Sequence, residues 1–161
     1  MYPKLTIVSI PRCGRNFIAN ELQKQGIHTE YQCTKTVDQL DNSADVVLAH
    51  DFNIDYYDPS RYLLRLNRNT NECLRSWFLL DVRQNRAANT KKAWLKRKKI
   101  LSKYIYEFDT KYKYVDTVWF HNILEHPNTV LAMICSIIGK PWTPVEYTKH
   151  VQRDLNIWPF V

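Results

Sequence analysis

The residues best suited to chemistry lie together near the start of the chain, in Pro11-Arg12-Cys13-Gly14-Arg15-Asn16-Phe17. They follow an apolar, β-branched run over residues 4–10, which reads as a short buried strand. Phe17, Ile18 and Leu22 then recur at helical spacing, and Gly26 is placed as a C-terminal stop. A helix N-terminus directly after a strand presents unpaired N–H groups and a partial positive charge, which suits a phosphate. Gly14 permits close backbone approach, and Arg12 and Arg15 add two cations. No Lys-Ser/Thr pair follows the glycine, so the usual magnesium ligand is missing and metal-free chemistry on a bound anion is expected.

Two further strand ends carry polar residues. The apolar run Val46, Val47, Leu48 and Ala49 ends in His50-Asp51. The strand over residues 62–66 ends at Asn67-Arg68, and Asn69-Thr70-Asn71-Glu72 has the short polar caps and first-turn acid of a helix start. An arginine fork and a hydroxyl from the following helix, here Arg68 and Ser76, can grip a phosphate between them. His28, His121, His126 and His150 have no metal-ligand spacing, and the four cysteines form no C-x-x-C pair. The expectation is reduced thiols and no metal site.

These strand ends need a scaffold. The chain has 161 residues, enough for one domain, expected over residues 1–161. The pattern continues with a weak strand at 28–32, a polar loop at 34–45 and a long helix over 90–111. A strand at 115–120 follows, then a helix opened by Pro127 and closed by Gly139 and Pro141. Strands alternating with helices predict an α/β fold: three layers, α/β/α, around a central parallel sheet of about five strands. Ligands bind beyond the carboxyl ends of such strands. Only three glycines are present, so neither a Walker A loop nor a dinucleotide fingerprint can be written. No stretch is apolar for long enough to span a membrane, and residues 1–10 do not read as a signal peptide. A cytoplasmic protein with no membrane partner is expected. The net charge of +7 and pI near 9.2 favour an anionic partner.

The loop resembles the 5′-phosphosulfate loop of the sulfotransferases: a strand, Pro-Arg/Lys-Ser-Gly-Thr-Thr, then often an aromatic. Arg12 falls on the family's basic residue at the bridging oxygen of the donor, and Phe17 falls where an aromatic stacks on adenine. Cys13 replaces Ser, and Arg15-Asn16 replace Thr-Thr, leaving backbone N–H groups and two new side-chain donors. Residues 64–76 resemble the 3′-phosphate segment, with Arg68 and Ser76 at the family's spacing and Thr70 in place of Pro. Residues 117–142 resemble its strand, Tyr-Glu-Asp-Leu, Asn/Asp-Pro, helix and Leu-Gly-x-Pro, with Phe120-His121-Asn122 replacing Tyr-Glu-Asp. A cofactor contact from that tyrosine is thereby lost, and the family's Gly-rich C-terminal segment is not recognisable; Arg153 or the basic helix is a candidate substitute.

The resemblance implies a P-loop-like fold whose first strand lies between those ending at His50 and Arg68. It implies 3′-phosphoadenosine 5′-phosphosulfate as sulfuryl donor, with Arg12, Cys13, Gly14, Arg15, Asn16, Phe17, Arg68 and Ser76 around it. It also implies a small-molecule or glycan acceptor. Sulfuryl transfer to an alcohol needs the acceptor proton removed. An imidazole with an ordinary pKa of about 6.5 suits that task, so His50 is the expected base, with Asp51 the alternative. Residues 91–103 hold seven cations and no acid, read either as a solvated helix face or as a dock for an anionic acceptor or nucleic acid. The alternative function is a catalytically silent sulfotransferase-like domain that binds a nucleotide or anionic partner; a basic nucleic-acid-binding domain is supported by charge alone, and nucleic acid is not the expected partner.

Overall fold

The computed structural model describes residues 2–31, 41–50 and 59–147, with the backbone alone for His50. Asp51 and Arg153 lie outside the described residues. The chain runs β1 (Leu5–Ser9), α1 (Arg15–Lys24), β2 (Thr29–Tyr31), β3 (Val46–His50) and β4 (Tyr62–Asn67). It continues with α2 (Thr70–Arg83), α3 (Lys91–Lys111), β5 (Thr117–Trp119), α4 (Phe120–Glu125) and α5 (Pro127–Ile137). The strands form one five-stranded sheet in the order β2-β3-β1-β4-β5, and every pairing is parallel. This is the α/β architecture expected, with β1 between β3 and β4.

Every residue of β1 is buried, so both faces of the sheet centre are covered, as a parallel sheet requires. One core joins Leu5, Ile7, Leu48, Leu64 and Leu66 of the sheet to Ile18 and Leu22 of α1, Phe78 of α2, Phe108 of α3 and Leu131 of α5. The register sets Ser9 beside His50 on one side and Leu66 on the other, so β1, β3 and β4 end at nearly the same height. Buried Arg61 pins their opposite ends. It donates to the Leu5 carbonyl at 2.8 Å, the Ala44 carbonyl at 3.0 Å and Thr6 Oγ1 at 3.0 Å.

Local chemistry sets the helix starts. The Asn69 side chain accepts from the N–H groups of Asn71 and Glu72, and Thr90 Oγ1 accepts from that of Ala93. One boundary differs from expectation: the strand foreseen at 115–120 pairs with β4 only over Thr117–Trp119. Phe120 instead opens α4, which turns its ring back toward the ends of β1 and β4.

Candidate anion-binding site

Pro11 to Gly14 form the turn between β1 and α1. Gly14 is the N-cap of α1 at φ 90°, so it supplies no side chain to the first-turn N–H groups, and among the described residues no side chain caps them. That leaves the positive end of α1 open toward the pocket. Gly14 is also hemmed in: a Cβ there would come within 3.1 Å of Ile123 and 3.2 Å of the Phe120 ring. Arg12 adopts φ 71°, a left-handed conformation that disfavours a branched side chain. This turns its carbonyl toward Arg68, whose Nη1 donates to it at 3.0 Å, while Arg12 Nε donates to Ser76 Oγ at 3.0 Å. The loop from β1 and the strand-end arginine of β4 are thus one bonded unit.

A pocket of about 230 Å³ opens beside them, lined by Arg12, Gly14, Arg15, Asn16, Phe17, Arg68 and Phe120. Three of these seven are arginines and none is acidic. Burial first, then the charges of Arg68 and Arg83, lower the pKa of Arg12 from its ordinary value. A cation crowded by other cations gains most from a bound anion. Arg68 is buried and sits 4.0 Å over the Phe120 ring; its Nε lies 3.5 Å from Glu72. Arg15 is buried with its guanidinium 5.1 Å from the Tyr31 ring.

Not every residue singled out from the sequence faces this pocket. The Cys13 side chain is fully buried, its Sγ directed at the Pro11 carbonyl at 3.9 Å, with Cys73 Sγ on the same oxygen at 3.4 Å. Hydrogen bonding with Cys73, then burial, holds the Cys13 thiol well above its ordinary pKa, so Cys13 can offer an anion only its backbone N–H. Ser76 reaches the pocket through Arg12. Phe17 lines it and meets Tyr147 edge-on, ring centres 5.5 Å apart. Sequence reasoning missed Phe120, noted there only as a lost tyrosine; its single sequence signal was the aromatic at that point of the family pattern. Ser9 Oγ, in register with His50, is fully buried and has no hydrogen-bond partner among the described residues.

No protein-family model matches the sequence, and no curated protein matches it. Among solved structures, a sulfotransferase from Alicyclobacillus acidocaldarius matches over 97% of this chain and 88% of its own, with a TM-score of 0.58 and 13% identity. At that identity the likeness is one of fold: the chain has a sulfotransferase-like α/β fold.

Proposed function

We propose that this chain transfers the sulfuryl group of 3′-phosphoadenosine 5′-phosphosulfate to a hydroxyl on a small molecule or glycan. The observation that carries this reading is the convergence of Arg12, Arg15 and Arg68 on one pocket, with no acid among its described lining residues, at the start of α1 within a sulfotransferase-like fold. The donor's two phosphate groups match this pocket in charge. The N-terminus of α1 with Arg12 and Arg15 would take the 5′-phosphosulfate, and Arg68 the 3′-phosphate. Phe17, on the rim, would offer its face to adenine.

In this scheme the acceptor oxygen attacks sulfur as the bond from sulfur to the bridging oxygen breaks. The acceptor proton passes to His50 at the end of β3. Negative charge gathers on the departing 5′-phosphate, where Arg12 and the loop N–H groups, already oriented, stabilise it. The step needs no metal.

The test is formation of adenosine 3′,5′-bisphosphate from the donor across a panel of hydroxyl acceptors. Donor consumption coupled to acceptor sulfation supports the reading, and nucleotide binding without transfer to any acceptor favours the silent domain. With an acceptor in hand, His50→Ala should lower kcat by about 10²–10⁴-fold with nucleotide affinity retained. A mild His50→Ala beside an inactive Asp51→Ala would exchange their roles.

A further inference from the structure

The long helix α3 carries an electrostatic burden that folding alone does not explain. Its first acid is Glu107, sixteen residues after Lys91. Lys91 and Lys92 occupy the first turn, where the helix dipole disfavours cations and no acid offsets them. Trp94, Leu101, Ile105 and Phe108 bury one face. On the opposite face Lys92, Lys96, Lys99 and Lys103 form a row, all four exposed. Successive members are four, three and four residues apart, the spacing at which like charges repel most on a helix. Among the described residues the row makes one ion pair, Lys103 to Glu107 at 3.9 Å. A solvated helix face ordinarily interleaves acids with such lysines, and this one has none before Glu107.

The row follows the helix axis for about 16 Å at 1.5 Å per residue, so it matches a line of negative charge better than a plane. Its flanks are apolar: Leu95 and Tyr106 on one side and Ile100 on the other are 54%, 70% and 51% exposed. A central lysine row with apolar flanks is the reverse of a membrane-surface helix, whose apolar residues lie at the centre of the buried face. We propose that this face binds single-stranded nucleic acid. The four lysines contact successive phosphates, and Leu95, Ile100 and Tyr106 receive the unstacked bases. A duplex would leave those flanks without a partner, since its bases are turned inward. This surface is independent of the sulfuryl-transfer reading.

The test is fluorescence anisotropy of a labelled 20-nucleotide oligo(dT) across a range of salt. Four phosphate contacts predict a slope of log K against log[salt] of about −2.8. Lys96→Gln should reduce its magnitude by about 0.7, and Lys96→Glu/Lys99→Glu should weaken binding at low salt by at least about tenfold. The double variant should melt no lower than the wild type, because it relieves like-charge repulsion. Arg12→Ala and Arg68→Ala should bind the oligonucleotide like the wild type, which separates this surface from the pocket. Binding unchanged by the lysine substitutions, binding lost with Arg12 or Arg68, or capture by heparin or phosphatidylserine vesicles without oligo(dT) binding would each overturn the proposal.

Discussion

Arg68 is held on three sides: its Nη1 on the Arg12 carbonyl at 3.0 Å, its Nε near Glu72, and the Phe120 ring under its plane at 4.0 Å. A guanidinium so fixed has little rotamer freedom left to lose when an anion arrives. Arg68→Ala should therefore weaken binding of adenosine 3′,5′-bisphosphate by about 1.5–3 kcal/mol, the range for a charged hydrogen bond. Adenosine 5′-phosphosulfate, which lacks the 3′-phosphate, should bind wild type and variant alike. Phe120→Leu keeps bulk and removes the ring face, so the same preference for the 3′-phosphate should fall by about 0.5–2 kcal/mol, and Phe120→Tyr should restore it. Titrations of these variants with both nucleotides check the assignment; an unchanged preference in Arg68→Ala removes Arg68 from the phosphate site.

At the scale of elements, α1 joins the site to the segment after α5. Gln25 exchanges two hydrogen bonds with the Thr143 backbone, at 2.6 and 2.9 Å, and Tyr147 donates to Glu21 Oε2 at 2.7 Å. Burial pushes the Glu21 carboxyl up, but hydrogen bonds from Lys24 and Tyr147 outweigh it and leave the pKa below the ordinary 4.5. A carboxylate with a depressed folded pKa contributes stability that is present above its unfolded value and lost as pH falls through the folded one. Thermal stability should thus fall as pH drops below about 4.5, and Glu21→Gln should flatten that part of the profile. Melting curves of the two proteins between pH 3 and pH 7 read this directly. An unaltered profile in Glu21→Gln would place the acid sensitivity elsewhere.

At the scale of the whole molecule, a five-stranded parallel sheet brings residues far apart in the chain to one edge. Much of that was legible in sequence, because local signals carry it. The strand signals at Leu5–Ser9, Val46–His50 and Tyr62–Asn67, the caps at Asn69 and Thr90, and Pro127 at a helix start each act within a few residues. What escaped depends on distant partners. That Phe120 leaves the strand to lie under Arg68 joins positions 52 apart, and that Arg12 bonds Ser76 joins positions 64 apart. The inward turn of Cys13 follows from the positive φ of its two neighbours, Arg12 and Gly14, which only the folded backbone displays. No helix among the described residues is long and apolar enough to cross a membrane. We propose that this edge of the sheet is a site for a 3′-phosphorylated adenosine nucleotide. Calorimetric titration of the wild-type chain with adenosine 3′,5′-bisphosphate and with adenosine 5′-monophosphate, in chelator, tests it most directly. Saturable one-to-one binding of the bisphosphate is expected, tighter than the monophosphate by at least about tenfold, the least that about 1.5 kcal/mol from Arg68 supplies. No heat of binding, or equal affinity for the two nucleotides, would contradict it.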